Sequence, residues 1–537
     1  MKICGFSGII MKICYKLSSN EGDGLDKGIR RLKKLLFSRA LIVSILVVGQ
    51  ILILLLFILR LSRYFAAMYG VFMLLSAVVT LVVVNKEVNP SYKLAWIIPI
   101  LMFPLFGGLF YLIFGNTHLS KDLSGRMRRV EERINLRQAQ TAKTQELLET
   151  LPPSLQNQSR YLFNAGYPAY CDTQTRYLTP GEKKFEAMLE ALESAQRYIF
   201  LEYFIIDEGV MWDSILAVLE RKAKEGVEVR VIYDGFGCLM TLPDNYFEVL
   251  RQKGINCIEF NPLIPVVTLL MNNRDHRKIL VVDGRVGFMG GVNIADEYIN
   301  AINRFGHWKD AAVMLNGEAV WSLTAMFLSI WDAVTGEDTR KEFYRAPPTD
   351  NDASNGIVQP YSDTPLDGEQ VGEMVYLNII NRAVKYVYIC TPYLIVDNET
   401  VTALLLAAKN GVDVRIITPH QGDKWYVHMV TRAYYAQLVR GGVKIYEYTP
   451  GFIHAKTFVA DDEVATVGTI NLDYRSFYLH FECGVWMART NAVCDIRTDF
   501  LNTLELCEPV NADSKQLKFG CILRLVSAVL RLFSPLM

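Results

Sequence analysis

Two short stretches of this 537-residue chain carry residue types that can do chemistry together. Asp275-His-Arg-Lys-Ile-Leu-Val-Val-Asp283 and Phe452-Ile-His-Ala-Lys-Thr-Phe-Val-Ala-Asp461 both contain H-x-K-x4-D. His276, Lys278 and Asp283 form one set; His454, Lys456 and Asp461 form the other. Each is followed by a Gly-x-x-Asn, and Asn293 and Asn471 both lie fifteen residues past their lysine. A lone His-x-Lys is most often a half-exposed strand. Two complete copies at identical spacing reverse that balance and indicate internal duplication.

Histidine and lysine alternate at i and i+2, so an extended backbone points both to one side. Bringing the copies together would gather two imidazoles, two ammonium groups and two carboxamides around one point. That constellation suits a phosphodiester and needs no metal. Lysine and asparagine would hold the non-bridging oxygens and stabilise moving charge. One histidine would attack phosphorus while the other protonates the leaving oxygen. Neither copy holds a whole set, so the site is expected where the two meet. The ten cysteines are scattered, with no C-x-x-C pair, and read as reduced structural thiols. No G-x-x-x-x-G-K-[ST] occurs, which argues against a P-loop nucleotide site. Zero net charge implies no bulk attraction to nucleic acid.

The elements that must position these residues repeat as well. Tyr198–Ile206 reads as an apolar strand, Met211–Glu225 as a helix and Val227–Tyr233 as the next strand. The unit recurs as Tyr386–Ile395, Val401–Asn410 and Val412–Thr418, with Gly226-Val-Glu-Val-Arg-Val-Ile echoed by Gly411-Val-Asp-Val-Arg-Ile-Ile. Strands separated by helices predict a parallel or mixed sheet covered by helices. The expected fold class is therefore α/β, as two duplicated halves, 165–349 and 368–510. Asp350–Asp367, rich in Asp, Asn, Ser, Gly and Pro, is expected to link them.

Hydrophobic residues make up 51% of the chain, high for a soluble protein. Three uncharged runs, Ala40–Leu59, Tyr64–Val84 and Leu94–Phe114, each have 20 or 21 residues. That length crosses a ~30 Å hydrocarbon core at ~1.5 Å per residue. The third run holds Pro99, Pro104, Gly107 and Gly108, which predict a kink or a re-entrant path. Basic residues crowd both flanks, in the segment 1–39 and at Arg126–Arg137. The positive-inside rule wants both flanks cytoplasmic, which three spans cannot achieve, so one run does not cross or one flank breaks the rule. Residues 117–164 read as a charged helical linker. The tail 519–537 reads as an amphipathic helix, lying in a membrane interface or packed on the folded domain.

The paired motifs resemble the phospholipase D superfamily. Leu201-Glu-Tyr-Phe-Ile-Ile-Asp207, Thr391-Pro-Tyr393, Ile445-Tyr-Glu-Tyr448 and Asn471-Leu-Asp-Tyr-Arg-Ser-Phe477 resemble its bacterial cardiolipin synthases, as does the Gly-rich end of the third run. The resemblance covers roughly 64–537. It implies two phospholipase D-like α/β/α halves sharing one site at their interface, after N-terminal transmembrane helices. It also implies a phosphatidyltransferase without cofactor or metal, located in the cell membrane with its catalytic domain facing the cytoplasm. Phosphatidylglycerol would be both donor and acceptor, with membrane lipids as partners and no nucleic acid; the rival readings are a phospholipase D that uses water and a phosphatidyltransferase that uses another alcohol. Superfamily members place an acidic residue against the far nitrogen of each catalytic histidine. Asp310 follows His276 by 34 residues and Glu482 follows His454 by 28. Such a carboxylate would fix the imidazole tautomer, leaving Asp283 and Asp461 a structural role past the strand ends. Thr469 stands where Gly or Ser is more usual, and its hydroxyl could donate to phosphate. His118, His307, His420, His428 and His480 lack a lysine partner and read as ordinary surface or core residues, with the lining of a lipid or headgroup groove as the alternative for His428 in Trp425-Tyr-Val-His428.

Overall fold

The computed structural model describes residues 48–49, 52–53, 62–104, 107–115, 121–262, 273–347, 355–517 and 520–536. Two compact units divide the chain, residues 1–88 with 96–115 and residues 89–95 with 116–537.

In the first unit, the run Ala40–Leu59 lies almost wholly outside the described residues, as does the segment 1–39. The second run falls in the helix Ser62–Val84, whose side chains are described only from residue 69. The third is broken into Pro90–Met102 and Gly107–Phe114. Ser76 closes the break by donating to the Pro104 carbonyl at 2.9 Å. Gly107 is required there, since a Cβ would meet the Pro99 carbonyl oxygen at 2.5 Å. Among the described residues no helix is long and apolar enough to cross a membrane.

The second unit is built from two mixed sheets of the same plan. The first runs Thr173–Leu178, Ala312–Gly317, Val286–Gly290, Lys278–Val282, Tyr198–Tyr203, Glu228–Asp234, Asn256–Phe260. The second runs Ile357–Asp363, Glu482–Ala488, Val464–Gly468, Thr457–Ala460, Tyr386–Cys390, Asp413–Pro419, Lys444–Tyr448, with Cys507–Val510 added at the far edge. Three neighbouring strands in each are parallel and the rest antiparallel. Helices such as Val210–Lys224 and Asn398–Lys409 make the crossovers.

Strand alternation explains why these strands read as unbroken apolar runs, since both faces are buried. Phe200, Ile279 and Val281 face a core shared with Tyr388, Val459 and Val485 of the other half. Leu201, Leu280 and Val282 face the opposite way, onto Trp212, Ile215 and Leu219. In the second half Val387, Ile389 and Phe458 back onto Leu404, Tyr435 and Leu438. The buried helix Val320–Thr335 fills part of the shared core.

Two expected linkers are structured. Ile357–Asp363 lies inside the segment 350–367 and forms the edge strand beside Glu482–Ala488. Its Pro360 is tolerated because an edge strand has one unpaired side. The residues 121–164 form helices Lys121–Ile134, Ala142–Glu149 and Pro153–Asn164. Met127, Val130 and Ile134 enter the shared core, and Leu148, Leu155 and Leu162 enter the second half's core. The density of charge there masked this apolar spacing. The strand expected over Tyr386–Ile395 is two, Tyr386–Cys390 and Leu394–Ile395, interrupted at Pro392. The described cysteines are free thiols.

Candidate active site

Both H-x-K motifs sit at the edge of a strand rather than within one. Lys278 opens the strand Lys278–Val282 and His276 lies two residues before it. His454 and Lys456 bridge the gap between Gly451–Ile453 and Thr457–Ala460. Each segment leaves its own sheet and pairs with the other half. Asp275 bridges to Phe481, and the His276 amide donates to the Phe481 carbonyl at 2.9 Å. Gly451–Ile453 pairs in parallel with His307–Lys309, and the His454 amide donates to the Lys309 carbonyl at 2.7 Å.

This exchange decides which carboxylate meets which ring. The offsets count each acid from the histidine of its own half, but the hydrogen bonds run across the halves. His276 Nδ1 lies 2.9 Å from Glu482 Oε1, and His454 Nδ1 lies 2.7 Å from Asp310 Oδ2. Both acids are fully buried. The carboxylates engage Nδ1 and so orient the rings to work through Nε2. Thr469 donates its hydroxyl to Glu482, so it braces this carboxylate rather than a phosphate.

The environment is positive and dry. Burial, followed by Lys278 and His480, holds His276 well below the usual histidine value. Burial and Lys456 push His454 down to about 4, against the opposing pull of Asp310. Burial pushes Lys278 down to about 8 and Lys456 to about 7. The two acids differ. Burial drives Glu482 well above the usual carboxylate range. Burial also pushes on Asp310, but His454 and Lys456 outweigh it and hold that carboxyl low. Lys456 Nζ lies 2.9 and 3.0 Å from the two nitrogens of His454. An incoming phosphate anion would compensate this crowding of cations.

The remaining motif residues separate. Asp283 and Asp461 are not at the reacting centre. Each caps the entry to the neighbouring strand, Asp283 accepting from the amides of Gln196, Arg197 and Tyr198. Asp461 accepts from those of Val384, Lys385 and Tyr386. Asn293 is used locally: its oxygen accepts from the Ile205 amide and its nitrogen donates to the Tyr298 hydroxyl. The buried Asn471 carboxamide oxygen has no hydrogen-bond partner among the described residues, which suits a ligand contact.

His480 lies at the site although it lacks a lysine partner in sequence. Its ring centroid is 5.6 Å from that of His276 at 44°. In the other half Trp308 stands 5.4 Å from His454 at 45°. Both residues lie two positions before the acid of their half, Glu482 or Asp310, which is the signal that could have found them. Phe204 meets His276 edge-on, and Tyr298 meets His454 likewise. Among the described residues, donor atoms of His276, His480 and Glu482 lie within 4.8 Å, close enough to hold a metal ion. Lys278, Lys456 and Arg475 bring positive charge to these imidazoles, which favours an anion over a cation.

The arrangement can carry out nucleophilic substitution at phosphorus, with one imidazole as nucleophile and the other as acid and base. Residues 188–331 and 376–504 match the family described as cardiolipin synthase, PLD-like domain. Residues 74–116 match phospholipase D-nuclease N-terminal. A cardiolipin synthase of Alkalihalophilus pseudofirmus is 36% identical over 471 residues, covering 87% of this chain and 93% of the relative. An uncharacterized protein of Streptococcus mutans is 45% identical, covering 85% of this chain and 99% of the relative. The phosphatidylserine synthase structure from Haemophilus influenzae aligns with a TM-score of 0.51 at 15% identity, over 68% of this chain and 93% of that one, which speaks to the fold alone. With two sheets of one plan, two exchanged H-x-K segments and these relatives, the chain belongs to the cardiolipin synthase family of phospholipase D-like proteins.

Proposed function

We propose that the protein is a phosphatidyltransferase that makes cardiolipin and glycerol from two molecules of phosphatidylglycerol. The observation that carries the reading is the pair of buried histidines from separate halves, each tied through Nδ1 to a carboxylate of the other half. His276 Nε2 attacks the phosphorus of the donor. The bond from phosphorus to the glycerol headgroup breaks, and His454, protonated once the donor's phosphate anion offsets the neighbouring lysines, gives its proton to that oxygen. A headgroup hydroxyl of the second phosphatidylglycerol then loses its proton to His454 and attacks the phosphohistidine. The new phosphodiester forms and His276 is released. Lys278 and Lys456 hold the non-bridging oxygens throughout. His276 takes the role of nucleophile on family resemblance.

The lipid substrate places the second unit beside a membrane. In this reading the runs Tyr64–Val84 and Leu94–Phe114 anchor it and the arginines at 126–137 keep it on the cytoplasmic side. A reporter fused after Arg137 should be active only in the cytoplasm; activity only outside would reject that orientation. The reaction itself is tested with labelled phosphatidylglycerol as the sole lipid. Cardiolipin plus free glycerol is expected. Phosphatidic acid would mean a hydrolase using water, and no product until an alcohol is added would mean a different acceptor.

A further inference from the structure

The tail folds as the helix Cys521–Leu532, followed by a short turn at Ser534–Leu536. One side packs on the second half. Ser527 and Ser534 are buried, and Leu530 joins that half's core. The Arg531 guanidinium lies 4.4 Å from the centre of the Tyr434 ring. The opposite side is apolar and faces outward, with Ile522 79%, Leu525 69% and Val529 49% exposed. These positions are three and four apart and form one stripe. A surface helix on a folded domain normally turns its apolar stripe inward; this one presents a second stripe to its surroundings.

The charge around the helix narrows the occupant. After Asp513 the chain has four charged side chains, Lys515, Lys518, Arg524 and Arg531, and no acidic residue follows. Twelve residues rise ~18 Å, too short for a ~30 Å hydrocarbon core. A short helix with an exposed apolar stripe among cations lies in the plane of a lipid interface. We propose that Cys521–Leu532 is a second membrane contact, inserting Ile522, Leu525 and Val529 into a leaflet rich in anionic phospholipid. Arg524 and Lys515 would meet the headgroups while the Ser527 side stays on the protein. The choice of anionic lipid rests on the reading of the enzyme as a phosphatidylglycerol transferase.

The full chain, reconstituted into vesicles of phosphatidylglycerol and phosphatidylcholine, is tested by photocrosslinking. A diazirine analogue of leucine replaces residue 522, 525, 529 or, as control, 527, one at a time. Lipid adducts at 522, 525 and 529, several-fold above those at 527, are expected. They should fall several-fold in vesicles of phosphatidylcholine alone or at 1 M salt, where charge is screened within about 3 Å. Adducts to protein only, or to none, would overturn the membrane contact. Equal lipid labelling in neutral vesicles would overturn the anionic preference. Crosslinking needs no turnover, so these results stand apart from whether cardiolipin is made.

Discussion

His480 lies beside His276 while Trp308 lies beside His454, so the two imidazoles are not electrostatic equals. His276→Ala and His454→Ala should each abolish transfer with the fold intact, read by labelled-lipid turnover and circular dichroism. A phosphoryl adduct trapped on His454 in the His276→Ala protein would reverse the assignment of nucleophile. Lys278→Ala and Lys456→Ala should each cost about 3 kcal/mol of transition-state stabilisation, roughly a hundredfold in rate. Near-normal activity would remove that lysine from the site. His480→Phe keeps a ring against His276 but removes a group whose charge holds His276 down. The His276 value should then rise, and the acid limb of the pH profile should move to higher pH.

At the scale of elements, the exchanged segments couple the halves. The bond from His276 to Glu482 runs along the Asp275–Phe481 bridge, and that from His454 to Asp310 along the parallel pair Gly451–Ile453 and His307–Lys309. Glu482→Gln should therefore act through His276, and Asp310→Asn through His454. Double variants within a crossed pair should be strongly non-additive, and pairs joined by sequence offset much less so. Full rate and an unchanged pH profile for Glu482→Gln would end that idea. The motif aspartates answer to a different measurement. Asp461→Ala strands three backbone amides at the start of Tyr386–Cys390 and should lower stability by roughly 1–3 kcal/mol. Thermal unfolding would show this, and catalysis in the folded fraction should change little.

For the whole molecule, the dry positive site sets the pH range. Burial and neighbouring lysines hold both histidines below their free value, so the attacking ring stays neutral well below pH 6.5. The acid limb of kcat/KM, which reports the free enzyme, should lie under that value. Lys456 and Lys278, pushed down to about 7 and 8, lose the charge that grips phosphate as pH rises. The alkaline limb should accordingly fall near pH 7–8, giving a bell whose acid side lies below pH 6.5. The groups titrate together, so each limb belongs to the cluster. A rate that climbs steadily with pH, or collapses with chelator and returns with a divalent ion, would mean a metal-activated nucleophile.

Residue types and spacing alone determined the duplication, both H-x-K pairs, the α/β halves and the meeting of two incomplete sets. These are local or repeating features, and a repeated spacing survives in sequence whatever the packing. Even the structural role of Asp283 and Asp461 was legible, since each follows its strand at a turn, Asp283-Gly-Arg and Asp461-Asp-Glu. Three things were decided only by tertiary structure. Strand exchange crossed the acids between the histidines, because pairing partners lie over a hundred residues apart in the chain. The segments 121–164 and 357–363 were recruited into the cores and the second sheet, because burial of one face outweighs a polar composition. His480 joined the site because its neighbour Phe481 is bridged to Arg274 and Asp275 of the other half, a pairing between residues about two hundred positions apart.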